Sequence, residues 1–292
     1  MAIDDPVILT CAISGALANR DQCPAIPYTP QEYAAEARRI VDEGGVHIHI
    51  HARRPDGAPS FEVEDIAAIT EAVRTEVGEA AIVNYSTGAI GVPVAKRLAF
   101  LRELRPEVAA LNMGSMNYAK YSSRRRDFVF ETVFANPFAE ILEFLDCMRE
   151  TGIRPEHECF DLGHVGSLAP LIEMGRLAPP LQIDFVMGVL GGVPPTARNL
   201  AAMVENAPEC PLHWAVVGIG RPQWSLAAAA LALGGSFRVG LEDNFYLPGG
   251  EMASSNGELV ASARRLTEGS GRRPASVEEA RAMLGLPLAA VS

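Results

Sequence analysis

Short apolar runs rich in Val, Ile and Leu recur along the chain. Between them lie stretches whose apolar positions return every three or four residues. The runs fall at 7–13, 46–53, 81–86, 108–113, 157–161, 181–187, 212–217 and 237–241, and each predicts a strand. Helical periodicity follows every one of them, at 30–42, 62–77, 92–104, 138–151, 168–175, 196–206, 224–233 and 254–267. Several boundaries carry their own signals. Thr29-Pro30-Gln31-Glu32 supplies an N-cap Thr, a first-turn Pro and a Glu three residues on, and Gly44-Gly45 stops that helix. A further helix at 276–284 opens on a capping box, Ser276-Val277-Glu278-Glu279. The fourth strand is followed by a longer excursion before its helix.

Eight strand–helix pairs over roughly 250 residues predict an α/β fold, a (β/α)8 TIM barrel. The chain reads as a single domain, 1–292, with the 276–284 helix appended. A doubly wound open sheet is the rival, but it wants a dinucleotide fingerprint. The best glycine-containing turn, Gly188-Val189-Leu190-Gly191-Gly192-Val193, does not fit GxGxxG, and no acidic residue follows at the right place.

Composition narrows the function classes. At 48% hydrophobic and 21% charged, 292 residues hold ample material for a core. A net charge of −11 argues against nucleic acid, which asks for a basic face. Arg124-Arg125-Arg126 is the one basic cluster; a solvated loop outweighs an anchor for a phosphate-bearing cosubstrate. The longest apolar run, 226–233, is too short to span a membrane. The acidic start, Met1-Ala2-Ile3-Asp4-Asp5, lacks a signal-peptide pattern, so a cytoplasmic location is expected. Five scattered cysteines (Cys11, Cys23, Cys147, Cys159, Cys210) show no CxxC spacing and read as reduced, mostly buried thiols.

Chemistry collects in the second strand. In Val46-His47-Ile48-His49-Ile50-His51-Ala52-Arg53 the three histidines share one face, because side chains on a strand alternate. Half of the chain's six histidines lie within these few residues. Two imidazoles on a stiff backbone make half of a metal site, and a carboxylate from another strand is the usual supplement. Glu242, at the end of the eighth strand, is the best candidate. Two His and one carboxylate leave a coordination position for a substrate oxygen, a set that suits zinc or non-haem iron. His47 sits deeper and reads as a hydrogen-bonded core histidine. Barrel enzymes place reactive groups at the C-terminal ends of strands, and other polar residues gather there: Arg53, Ser86-Thr87-Gly88, Asn112 with Ser115 beyond, Glu158, Asp161 with His164 after it, and Asp243-Asn244. On an extended chain Glu242 and Asp243 face apart, which leaves one for metal and one for proton transfer. Arg238, five residues before Asp243, either orients a carboxylate or forms a rim salt bridge.

These pieces resemble the β-keto acid cleavage enzyme family. The resemblance runs the length of the chain: Leu9-Thr10-Cys11-Ala12, Pro27-Tyr28-Thr29-Pro30-Gln31-Glu32, His49-Ile50-His51-Ala52-Arg53, Ser86-Thr87-Gly88, Leu111-Asn112-Met113-Gly114-Ser115, Gly188-Val189-Leu190-Gly191-Gly192 and Arg238-Val239-Gly240-Leu241-Glu242-Asp243-Asn244. The last is the most specific. The resemblance implies a metal-dependent barrel that condenses a β-keto acid with acetyl-CoA, giving acetoacetate and a new acyl-CoA. It implies Zn2+ on His49, His51 and Glu242, with the Arg53 register excluding His47. It implies proton transfer by Asp243 and Arg238, with Glu158 in the same site. Ser86, Thr87, Gly88, Asn112, Ser115 and Arg53 are then expected to meet substrate, and a homotetramer is expected. One departure is Arg54, where the family usually has Asp; with Ser14 and Tyr85 it is expected to bear on substrate choice. A metal-dependent hydrolase of the amidohydrolase type, or an aldolase acting without CoA, is the alternative. The hydrolase wants HxH on the first strand and further His ligands after the fifth and sixth, and residues 183–186 offer none.

Overall fold

The computed structural model describes residues 5–288. Strands β1 (Leu9–Ala12), β2 (His47–Ile50), β3 (Ile82–Tyr85), β4 (Val108–Asn112), β7 (Arg154–Cys159), β8 (Leu181–Met187), β9 (Leu212–Gly218) and β10 (Ser236–Val239) close into a parallel barrel, with β1 hydrogen-bonded to both β2 and β10. Helices α1 (Pro30–Asp42), α2 (Val63–Val77), α3 (Val94–Leu104), α4 (Phe138–Thr151), α7 (Ala197–Glu205), α8 (Gln223–Ala232) and α9 (Asn256–Gly269) supply the outer layer. The segment after β7 holds two short helices, α5 (Leu162–Gly166) and α6 (Leu168–Glu173), where the pattern predicts one. The barrel excludes the doubly wound rival, because no sheet edge is left open.

The capping signals act as predicted. Thr29 accepts from the Glu32 amide while Glu32 returns to the Thr29 amide, and Ser276 and Glu279 repeat the exchange ahead of α10 (Val277–Leu284). Helix α10 closes the N-terminal end of the barrel. Its Ala280 and Leu284 pack with Ile8, Val46, Ile82 and Val108, at or just before the starts of four successive strands. The excursion after β4 folds as an antiparallel hairpin, β5 (Met116–Ser122) and β6 (Asp127–Phe134), with the Arg124–Arg126 cluster exposed in its turn. Met116 and Phe134 anchor the hairpin base against Phe160, Val186 and Val217.

Outward strand residues such as Ile48, Val83, Leu111, Ile183, Phe185 and Val216 build the core beneath the helices. The barrel interior is different. Barrels of this kind are ordinarily filled with branched apolar side chains, but here Thr10, His47, His49, Asn84, Glu156, Gln182, Asp184, His213 and Arg238 are all buried. The five cysteines are free thiols. No helix among the described residues is long and apolar enough to cross a membrane.

Candidate active site

The histidine strand lies between β1 and β3, with Ala12 opposite His49 and His49 opposite Asn84. His51 follows the strand directly. Its backbone carbonyl accepts from the Tyr33 hydroxyl at 2.6 Å and from Ser14 Oγ at 3.1 Å, which fixes the exit from β2. The two imidazole rings stand 5.4 Å apart, edge to face. His47 bonds Thr10 Oγ1 through Nδ1 at 3.2 Å, deeper in the barrel and apart from the pair.

Glu242 reaches both rings. Its Oε2 lies 3.8 Å from His49 Nε2 and its Oε1 lies 3.5 Å from His51 Nε2. One donor atom from each of the three residues falls within 4.8 Å of the others. Burial drives the His49 pKa well below its ordinary value, outweighing the pull of Glu242, so the ring is neutral. Burial works to raise the Glu242 carboxyl, but His51, His49 and Arg238 more than offset it and hold it below the usual carboxylate range. Glu242 Oε2 is also buried with no hydrogen-bond partner. Two imidazole nitrogens facing an ionised carboxylate with a spare buried oxygen fit a divalent cation.

Arg238 organises the acids. It grips Asp243 with two bonds of 2.8 Å and reaches Glu242 and Glu158 at 3.3 Å each. Glu242 and Asp243 thus both meet one guanidinium, which corrects the expectation that they face apart. The chain is not extended here. Gly240 adopts φ +132°, and the Asp243 and Asn244 amides both return to its carbonyl at 3.1 Å, forming a turn. A Cβ on Gly240 would stand 2.1 Å from the Ala12 carbonyl oxygen, so only glycine fits. Burial pushes Asp243 up to about 7, a shift that Arg238 limits and Glu242 reinforces. Burial likewise raises Glu158, against Arg238.

The expected substrate residues divide. Ser86 and Asn112 stand at the mouth with Gly88 between them, where a Cβ would come within 3.3 Å of the Asn112 amide nitrogen. Thr87 is spent on the Ala110 carbonyl at 2.5 Å, and Ser115 accepts from the Asn136 amide at 2.7 Å to close the hairpin base. Arg53 gives its guanidinium to four backbone carbonyls, those of Ser14, Gly15, Ala18 and Gly57. It braces the first loop, whose Gly15 packs on Glu242, instead of facing the mouth. Gly15 in that loop lies against Glu242, where a Cβ would meet Cγ at 2.7 Å. Arg54 lies half-exposed on the surface near Asp65, and Tyr85 points outward to Thr70 and Phe100, so neither lines the mouth. Asp161 caps α5 through the Gly163 amide, and His164 packs on Phe160.

The structure adds groups that the sequence reading passed over. Glu156 and Asp184 face the interior near Glu158, both raised by burial and by neighbouring carboxylates, Asp184 to about 7 even with Arg238 near. Their signal was present as polar residues at alternate strand positions, Glu156/Glu158 and Gln182/Asp184. Tyr118 comes from the hairpin; burial, with Glu242 and Asp243, pushes its hydroxyl up to about 12.

A closed parallel barrel with imidazoles, carboxylates and an arginine gathered where its strands end defines a barrel enzyme with a metal-competent mouth. The chain belongs to the beta-keto acid cleavage enzyme family, whose model matches residues 6–286. It is 36% identical over 282 residues to the 3-keto-5-aminohexanoate cleavage enzyme of Fusobacterium nucleatum, covering 97% of this chain and 98% of the relative. It is 35% identical to the 3,5-dioxohexanoate:acetyl-CoA acetone transferase of Paraburkholderia graminis, with 99% of each covered. It is 34% identical to the 3-oxoadipate:acetyl-CoA acetyltransferase of Cupriavidus necator, covering 97% of this chain and 95% of that one. Among solved structures, apo ObcA shares the fold at TM-score 0.75 and 22% identity, over 91% of this chain and 66% of the ObcA chain.

Proposed function

We propose that this protein condenses a β-keto acid with acetyl-CoA and releases acetoacetate and a new acyl-CoA. His49, His51 and Glu242 would hold the divalent cation, Zn2+ by the chemistry of two imidazoles and a carboxylate. A cation there supplies Lewis-acid polarisation of the keto and carboxylate oxygens. The observation that carries the reading is Asp243. It is a buried carboxylate poised near neutral pH, gripped by Arg238 and one residue from a metal-competent Glu.

Asp243 removes a C2 proton from the β-keto acid, and its pKa of about 7 suits a base at neutral pH. The electron pair left at C2 attacks the acetyl thioester carbonyl and breaks its C–S bond. The freed CoA thiolate adds to the original keto carbon. Breaking the C2–C3 bond then yields the new acyl-CoA, and the proton held on Asp243 returns to C2 as acetoacetate leaves. Arg238 keeps Asp243 aimed through both transfers of its proton. Ser86 and Asn112 offer polar groups to the substrate at the mouth. The homologues' names point to diverse β-keto acids with acetyl-CoA as the common partner.

The test is acetoacetate formation from acetyl-CoA across a panel of β-keto acids. At least one acid should give both products, and folded Glu242→Gln should lose at least about 100-fold in kcat. A panel that yields no acetoacetate defeats the reading.

A further inference from the structure

Beneath the cation-facing side of His49 lies a second nitrogen with nothing bonded to it. Nε2 faces Glu242, while Nδ1 is buried in the barrel interior without a hydrogen-bond partner. The carboxylate oxygen Oε1 of Glu156 stands 3.9 Å from that Nδ1. Glu156 is itself fully buried and held from both sides: Asn84 Nδ2 donates to Oε1 at 2.8 Å, and Gln182 Nε2 donates to Oε2. Ala110, opposite Glu156 across the β4–β7 pair, presents only a methyl group, which lets Asn84 reach over β4.

We propose that Glu156 is the positioning residue for His49, accepting a hydrogen bond from its Nδ1–H and so fixing the ring with Nε2 free for the cation. The inference rests on the metal-site reading above. A neutral imidazole that offers its Nε2 lone pair must carry its proton on Nδ1. That proton sits in a dry interior, where an N–H without an acceptor is costly. An approach of about 0.9 Å brings Glu156 to an ordinary N–H···O distance of about 3.0 Å. Metal-bound histidines are generally oriented by an acceptor on the other ring nitrogen, and losing it typically weakens metal affinity 10–100-fold. Asn84 and Gln182 aim the carboxylate here, so four strands (β2, β3, β7 and β8) set one ligand's orientation.

The test uses the metal-free full chain, titrated with Zn2+ against a chromophoric chelator, together with 15N-histidine NMR. Glu156→Asp withdraws the carboxyl group by one methylene and keeps its chemistry; Glu156→Leu removes the acceptor; Glu156→Gln keeps an acceptor oxygen in place. Zn2+ affinity should fall about 10–100-fold in Asp and Leu variants and by less in Gln. The His49 Nδ1 proton, sheltered in wild type, should exchange quickly in Glu156→Asp. If Glu156→Leu fails to fold, the Asp variant carries the comparison. A folded Glu156→Asp protein with wild-type Zn2+ affinity and an unchanged His49 signal overturns the proposal and leaves the metal site standing. Binding of two Zn2+ per chain, falling to one in Glu156→Asp, also overturns it by making Glu156 a ligand with Glu158. Absence of Zn2+ binding in wild type defeats both readings.

Discussion

Arg238 holds three carboxylates at once, and its geometry decides what each does. Two parallel bonds to Asp243 fix a plane, whereas the reaches to Glu242 and Glu158 are single and longer. Lysine offers a point charge and no planar fork. Arg238→Lys should therefore keep much of the charge but lose the aim of Asp243. We expect kcat to fall about 100-fold or more with a smaller change in KM, measured by steady-state kinetics; an equal loss in both would assign Arg238 to substrate binding instead. Asp243→Asn should cost about 10^2–10^4-fold in kcat while leaving Zn2+ affinity nearly unchanged. At this scale the sequence was informative where residues sat together. Arg238, Glu242 and Asp243 lie within one short stretch, and His49 and His51 share one strand face. It misled at Arg53 and Thr87, whose polar atoms are consumed by backbone carbonyls that folding alone brings near. It passed over Glu156: alternation puts that residue on the interior face with Glu158, but only folding brings its carboxyl beside a histidine three strands away.

Elements were legible in proportion to their periodicity. Strand β8 falls where the apolar run places it, and both capping boxes form, because alternation and caps are local physics. The hairpin escaped notice. Its strands alternate only weakly, and Tyr121, Phe128, Val129 and Val133 are exposed on it, so no clean two-residue pattern separates an inside from an outside. Helix α10 was visible, but its place was not: a helix after the eighth strand–helix pair reads as an appendage. In the barrel it is a plug. Leu284 is buried against the bottom layer of Ile8, Val46, Ile82 and Val108. Leu284→Ala should cost about 2–5 kcal/mol of unfolding free energy by denaturant titration. A loss below about 0.5 kcal/mol would show that the strands close the barrel end without it.

A barrel with a polar interior is a molecule whose stability depends on pH. Five carboxylates (Glu156, Glu158, Asp184, Glu242, Asp243) surround one arginine, and four more histidines (His47, His157, His164, His213) are buried elsewhere in or around the strands. The acids near Arg238 belong to the candidate site, but His157 and His213 lie apart from it and report on the frame. Burial holds His157 at about 4, against the favourable bond to the Gln182 carbonyl at 2.7 Å, and holds His213 at about 3. Unfolding restores both to about 6.5. Below that value the unfolded chain binds protons that the folded chain refuses, so stability is complete above pH 6.5 and falls as pH drops toward the folded pKa values. Each histidine contributes a slope of about 1.4 kcal/mol per pH unit, or about 2 kcal/mol between pH 6.5 and 5. Denaturant titrations of His157→Gln at pH 7 and pH 5 isolate one of them. The substitution should lower stability at pH 7 yet flatten the pH dependence by about one proton's worth. If the slope matches wild type, His157 is protonated in the fold, and the burial that sets this barrel's acid limit lies at His213 instead.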